Sequence, residues 1–308
     1  MKPFNPQLAV VTGGGSGIGR GTAKALAAHG ATLIIADINL DAANDAVAEI
    51  RSLGGKAEAF RLDVADTPAL EAFAEQVREQ FGVPDVVVNN AGILVGGPFL
   101  DVPLEDLERI IDINLMAMIH GCRVFGQQMV DRGRGGHLVN IASMAAFGPA
   151  PYTAPYSIGK YAVKHFSECI RAEFASHGIG VTAICPGLIS TNLAESTRAA
   201  AFGDEQIDLG KQIVAKGMSF LGMHPDKAGR QIVHAIRKNI AVEPIRLEAR
   251  LSWPIARYFP GLVRAVMTVA AAPDLDRLIR LTEQPALLEA GRKVAERMPK
   301  RSNHGVNV

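Results

Sequence analysis

The stretch from Leu8 to Ala27 limits this chain more than any other. A short apolar run, Leu8-Ala9-Val10-Val11-Thr12, ends in Gly13-Gly14-Gly15-Ser16-Gly17-Ile18-Gly19, and a helical pattern follows with Ala23, Leu26 and Ala27 on one face. A buried strand that turns through glycines directly into a helix is what a dinucleotide-phosphate cradle requires. The glycines let the backbone approach the pyrophosphate, and the helix N-terminus offers it free N–H groups and the positive end of the helix dipole. The spacing is Thr-Gly-x-x-x-Gly-x-Gly rather than Gly-x-Gly-x-x-Gly, so a glycine turn without a ligand stays open from this stretch alone.

The pattern then repeats. Ala31 to Asp37 is an apolar run closed by an acid, Ala42 to Leu53 reads as a helix stopped by Gly54-Gly55, and Ala57 to Leu62 reads as a strand running into Asp63-Val64. Leu70 to Phe81 reads as a helix, and Asp85-Val86-Val87-Val88 as a buried strand running into Asn89-Asn90-Ala91-Gly92. Alternating helices and continuously apolar strands indicate a parallel sheet covered on both faces. Such sheets bind ligands at strand C-termini, which is where Asp37, Asp63 and the Asn-Asn-Ala-Gly turn fall. A carboxylate after the second strand accepts hydrogen bonds from ribose hydroxyls and repels a 2′-phosphate. No Arg or Lys directly follows Asp37, which favours NAD over NADP; a solvated strand end or a helix cap is the plainer reading of the same acid.

Tyr156 and Lys160 lie four residues apart in Ala154-Pro155-Tyr156-Ser157-Ile158-Gly159-Lys160, and so share a helical face. An ammonium beside a phenol favours the phenolate and lowers its pKa, which makes Tyr156 a candidate proton donor or acceptor for a substrate oxygen. Ordinary surface helices also produce such pairs. Gly136 to Ala142 reads as a further strand ending at Ser143, thirteen residues before Tyr156, and Ile179 to Cys185 as another, followed by Pro186-Gly187-Leu188-Ile189-Ser190-Thr191. Asn114, in a long helical pattern, reads without further context as an Asn bonded to its own backbone.

Taken jointly and in this order, the motifs Thr12-to-Gly19, Asp37, Asp63-Val64, Asn89-to-Gly92, Asn114, Ser143, Tyr156-to-Lys160 and Pro186-Gly187 resemble those of the short-chain dehydrogenase/reductase family, from about Gln7 to about Ile245. The resemblance implies a Rossmann-type, doubly wound α/β domain with a seven-stranded parallel sheet. It implies that Ser143 orients the substrate oxygen and that Tyr156 exchanges its proton. Lys160 lowers the tyrosine pKa and holds the nicotinamide ribose, and Asn114 helps hold a water linking the lysine to solvent. The cofactor contacts it implies are Gly13, Ser16, Gly17, Ile18, Gly19, Asp37, Asp63, Val64, Asn90, Gly92, Tyr156, Lys160, Pro186, Gly187, Ile189 and Thr191. The last four form a turn facing the nicotinamide. No metal is expected.

The expected organisation is one domain over 1–245, with a substrate lid at about 190–223, and a helical extension over 246–308. Apolar residues of the lid (Leu193, Phe202, Ile207, Ile213, Val214, Met218, Phe220, Leu221), with Met144, Phe147 and Pro149–Pro151, point to a lipophilic alcohol or ketone; packing within the lid is the alternative. From Arg246 on there are eleven basic and six acidic residues, +5 against −4 for the rest of a chain whose net charge is +1. That overall balance gives no reason to expect nucleic acid. Arg250, Arg257 and Arg264 recur at seven, which keeps them on one helical face beside Leu251, Ile255 and Trp253. Such a stretch packs over the substrate mouth or a second subunit, or rests on an anionic membrane surface. No apolar leader and no spanning stretch is visible, and Cys122, Cys169 and Cys185 are not in metal spacing. Reduced thiols in a cytoplasmic homodimer or homotetramer are the expectation. Two other functions stay open: a 3-oxoacyl-thioester reductase, which usually takes NADPH, and an NAD-binding protein without turnover.

Overall fold

The computed structural model describes residues 5–191, 198–199 and 222–271. Most of the expected lid and the end of the extension lie outside these residues, including every lid residue named above from Leu193 to Leu221. Strand β1 (Leu8–Thr12) leads through the glycine turn into α1 (Gly17–Ala27), then β2 (Thr32–Asp37), α2 (Leu40–Ser52), β3 (Lys56–Arg61), α3 (Thr67–Phe81) and β4 (Val86–Asn89). The two-residue β5 (Val95–Gly96), α4 (Leu104–Ile111), a π-helical turn (Asp112–Met116) and α5 (Ala117–Arg132) follow. Next come β6 (Gly136–Ile141), α6 (Ala154–Phe174), β7 (Ile179–Pro186), the two-residue β8 (Arg198–Ala199), α7 (Pro225–Lys238), β9 (Val242–Ile245), α8 (Leu247–Tyr258) and α9 (Pro260–Ala270).

Seven strands form one parallel sheet in the order β3-β2-β1-β4-β6-β7-β9, as the Rossmann-type expectation required. Strand periodicity of two sorts the side chains into two layers. Ala9 and Val11 of β1 face a core built with Leu26 of α1, Ala46 and Ile50 of α2 and Ile232 of α7. Val10 faces the opposite core, with Phe73 of α3 and Phe125 and Met129 of α5. Both faces are therefore covered, and each fully buried side chain of this size contributes roughly 1.5–3 kcal/mol relative to exposure. The chain crosses from one half of the sheet to the other between β1 and β4, and a crevice opens there at the strand C-termini.

Three local features depart from the sequence expectation. Helix α3 begins at Thr67, because Asp66 caps it by accepting the Ala69 N–H at 3.0 Å. Asn114 lies in a π turn rather than in uninterrupted α-helix. Parallel pairing of β5 with β8 makes a second, two-stranded sheet. The chain divides into compact units Met1–Val263 and Arg264–Val308. Helix α8 runs through Pro254 but ends at Phe259, whose backbone leaves helical space, so Arg257 and Arg264 do not share one continuous helix. Among the described residues no helix is long and apolar enough to cross a membrane.

Candidate active site

The crevice is a cleft of about 340 Å³. It is lined by Gly13, Ser16, Gly17, Ile18, Asp37, Asn90, Gly92, Ser143, Tyr156, Lys160, Pro186, Gly187, Ile189 and Thr191, with Ile38, Ala91, Ile93, Ile141 and Ala142 between them. The sequence pointed to the first fourteen. It missed the other five because they are apolar neighbours with no chemical signature of their own.

At one end the glycine turn carries the conformations that only glycine adopts cheaply: Gly13 has φ +59° and Gly17 φ +51°. A Cβ built on Gly15 would lie 2.9 Å from both Asp37 Oδ2 and the Ala42 backbone, so the turn is pressed against its neighbours. Gly19 does not line the cleft; it packs on the Gly13 carbonyl and lets α1 start there. Ser16, the exposed N-cap, makes no side-chain cap bond, and no acid occupies the first turn of α1. That helix end therefore presents unneutralised N–H groups to the cleft, which suits a pyrophosphate. Asp37 is fixed beside it, accepting the Gly15 N–H at 2.9 Å and the Asn39 N–H at 3.0 Å. Its carboxylate still has lone pairs for ribose hydroxyls. Ile38, the next residue, is apolar and offers nothing to a 2′-phosphate. These residues fit a dinucleotide.

Asn90 ties the turn to β4: its Nδ2 donates to Thr12 O at 3.0 Å and Gly13 O at 2.9 Å, and its N–H donates to Thr12 Oγ1 at 3.1 Å. Thr12 is a structural member of the site that the sequence reading did not single out. Asp63 is exposed and accepts the Ala65 N–H at 3.0 Å, while Val64 packs against the α3–α5 core. Neither lines the cleft, although the Leu62 N–H bonds Asp37 O at 2.9 Å and keeps this segment next to Asp37.

At the other end stands α6. Pro155 in its first turn leaves no N–H to satisfy, and Tyr156, Lys160, Val163 and Ser167 follow at helical spacing. Lys160 is 4% exposed; its Nζ donates to Ile141 O at 2.8 Å and lies 5.7 Å from the Tyr156 ring centroid. Burial pulls its pKa down to about 8. Ser143 Oγ accepts the Ala145 N–H at 3.2 Å, which leaves the hydroxyl proton for the bond to Tyr156. The expectation that Lys160 draws the phenol down is not met. Burial, the largest cause, pushes Tyr156 above its ordinary value, and the hydrogen bond from Ser143 opposes this only in part. The reason is tertiary: the ammonium is spent on Ile141 O, and both groups are desolvated together.

Asn114 is fully buried behind the cleft. Its Oδ1 accepts the Ile93 N–H at 2.8 Å and its Nδ2 donates to Ile93 O at 2.9 Å, so its side chain locks the backbone beside Lys160. A Cβ on Gly92 would lie 3.0 Å from Asn114 Oδ1 and 3.4 Å from Lys160 Nζ, so this glycine keeps the two polar groups in place. Cys185 lies buried nearby with its thiol pushed up to about 12, which makes it inert.

The short chain dehydrogenase model matches residues 7–201. The chain is 44% identical over 264 residues to a probable oxidoreductase, EphD, of Mycobacterium tuberculosis (strain ATCC 25618 / H37Rv), covering 85% of this chain and 45% of that protein. It thus spans about half the length of that relative. It is 31% identical over 279 residues to a C alpha-dehydrogenase of Sphingobium sp. (strain NBRC 103272 / SYK-6), covering 89% of this chain and 91% of the other. Among solved structures, a short chain dehydrogenase/reductase from Burkholderia phymatum in complex with NAD aligns with a TM-score of 0.78 at 25% identity, over 85% of this chain and 96% of the other. With its seven-stranded sheet and a match over residues 7–201, this chain belongs to the short-chain dehydrogenase/reductase family of oxidoreductases.

Proposed function

We propose that the protein is an NAD-dependent dehydrogenase acting on a secondary, lipophilic alcohol or the corresponding ketone. The observation that carries this is the meeting of Ser143, Tyr156 and Lys160 on one wall of a cleft whose far end holds the open N-terminus of α1 and Asp37. A nicotinamide dinucleotide, when bound, supplies the hydride acceptor or donor. Asp37 selects ribose hydroxyls over a 2′-phosphate, and the Gly13–Gly19 turn takes the pyrophosphate. Asp63 and Val64, one strand further along the same edge, are assigned to the adenine end. Lys160 holds the nicotinamide ribose, and Pro186, Gly187, Ile189 and Thr191 face the carboxamide side.

Tyr156 does the proton work. A phenol held protonated donates to a carbonyl oxygen; in the oxidising direction its phenolate form, favoured by the Ser143 hydrogen bond, accepts the hydroxyl proton. Ser143 aims its hydroxyl where charge changes on the substrate oxygen. The side chain of Asn114 holds the Ile93 backbone and keeps one acceptor and one donor position over, which suits its assignment to a water linking Lys160 to solvent.

The lipophilic substrate is supported by the apolar character of the segment before Tyr156, where Phe147 stacks on Trp253 beside the cleft-lining Ala142 and Ser143 with centroids 5.5 Å apart and planes at 8°. Exposed Leu104, Met116, Ile158 and Tyr161 on α4, the π turn and α6 support pairing through these helices into a homodimer or homotetramer. Exposed Leu251, Ile255, Tyr258 and Phe259 give α8 and its end a second use, contact with a membrane surface. Free thiols at Cys122, Cys169 and Cys185 suit the cytoplasm.

The test is turnover of a panel of secondary alcohols with NAD by the wild type and by Tyr156→Phe. The variant is expected to fold and bind NADH while losing about 10²-fold or more in kcat. Substantial turnover in Tyr156→Phe overturns the assignment.

A further inference from the structure

The turn after β7 is held by two residues that lie beyond the 7–201 match. Gly187 N–H donates to Ile245 O at 3.0 Å, which brings the start of the extension alongside. Leu188 N–H donates to Glu248 Oε1 at 3.0 Å, and Arg246 Nη1 donates to Leu188 O at 2.8 Å. Arg246 Nε and Glu248 Oε1 are themselves 3.1 Å apart. One ion pair therefore engages both polar groups of Leu188, between the cleft-lining Gly187 and Ile189, and shares the Leu188 carbonyl with the Met223 N–H at 3.0 Å. The fit is close: a Cβ on Gly187 would lie 2.5 Å from Glu248 Oε1. Side chains 24% and 31% exposed keep the pair partly out of water, where charge-assisted bonds count for more.

The backbone points the same way. Arg246 has φ +83° and ψ 162°, a region that is essentially glycine's, and holding another residue there costs about 1–3 kcal/mol. A cap needed only to start α8 would not require this conformation. It turns the Arg246 guanidinium back toward Leu188, and Glu248 follows in the first turn of α8.

We infer that Arg246 and Glu248 are positioning residues for the cofactor. They clamp the Leu188 peptide and so fix the height and tilt of the Pro186–Thr191 turn against the nicotinamide. This inference rests on the nicotinamide reading of the cleft. It gives the first segment of the extension a role in cofactor affinity, separate from its packing beside the substrate wall.

The experiment uses the full chain with Glu248→Ala, Glu248→Gln and Arg246→Gly. NADH affinity is read by fluorescence, Leu188 amide protection by hydrogen exchange, and KM is measured separately for NAD and alcohol. In Glu248→Ala the NADH Kd and the NAD KM are expected to rise about tenfold, the loss of one charge-assisted hydrogen bond. Leu188 exchange should quicken, and the alcohol KM should stay unchanged. Glu248→Gln, which still accepts the Leu188 N–H, should recover most of the loss. Arg246→Gly, whose backbone suits φ +83°, should keep the unfolding midpoint while weakening NADH, so the inference remains testable if Glu248→Ala fails to fold. An unchanged Kd in folded Glu248→Ala beside a normal wild type overturns this inference alone, as does a Gln variant no better than Ala. A wild type that binds no NADH overturns the reading of the cleft instead.

Discussion

At the scale of single residues, Lys160 carries a clear burial penalty. It is buried with its ammonium on one carbonyl, and its pKa of about 8 lies below the ordinary 10.5. A depressed lysine means that the unfolded chain binds more protons once pH passes the folded value, so stability rises with pH from there. The rise should be about 1 kcal/mol between pH 8 and 9. The buried thiols of Cys122 and Cys185, each pushed up from 9.0 to about 12, act in the opposite sense and begin to do so within this same window. Urea unfolding from pH 8 to 9 should show wild-type stability gaining about 1 kcal/mol relative to Lys160→Met, the thiol contribution being common to both; an equal slope in the two proteins would remove Lys160 as the source. Tyr156, Lys160 and Asp37, which line the cleft, could be singled out because their spacing is fixed by one helix or one strand end, and Ser143 through the family resemblance. The direction of the Tyr156 pKa was not legible, since desolvation depends on what the fold lays over the phenol. Arg246 and Glu248 were equally hidden: an ion pair reaching 58 to 60 residues back to Leu188 leaves no periodic trace.

Elements were read well where periodicity was long and poorly where it was short. The strand ending at Asp37 and the helix holding Tyr156 came directly from apolar runs and helical spacing. The π turn at Asp112–Met116 did not, because an apolar pattern around Asn114 looks the same whether or not the helix bulges by one residue. Two-residue strands such as β5 and β8 carry no pattern at all. The join of β6 to β7 also hides a titratable group: His137 is 7% exposed, with Nε2 2.8 Å from Thr182 Oγ1. Thr182 donates its own proton to Ile240 O at 2.6 Å, so the imidazole is the donor to Thr182. Burial holds its pKa down to about 3, with the Arg171 charge adding to the effect. The folded His137 thus stays neutral while the unfolded one protonates below its ordinary 6.5, so stability falls with pH from there to about 3. By pH 4.5 the loss from this residue should be roughly 3 kcal/mol. His137→Gln should flatten the acid limb of a pH–stability curve; an equal slope in both proteins would remove His137 from this account.

For the whole molecule, a parallel sheet with helices on both faces followed from the alternation of apolar runs and glycine stops, and its count of seven strands from the family resemblance. The boundary of the main unit did not. Helix α8 reads as part of an appendage, yet Trp253 stacks on Phe147, and the compact unit runs to Val263. Aromatic stacking between distant segments has no sequence signature. It places α8 against the loop between Ser143 and Tyr156, so Trp253→Ala should cost about 1 kcal/mol in lost stacking, with the lost burial added to it. It should also raise the KM for a lipophilic alcohol more than that for NAD. Guanidinium unfolding and steady-state kinetics on the same variant check both parts; a rise confined to NAD would place Trp253 elsewhere in the mechanism. The claim beneath all of these is that the cleft between the glycine turn and Tyr156 takes NAD. Fluorescence titration of the wild type with NADH and with NADPH measures this directly. The account predicts saturable NADH binding at least about tenfold tighter than NADPH, the size of one charged contact at Asp37. Equal or tighter NADPH binding, or no binding of either, would contradict it.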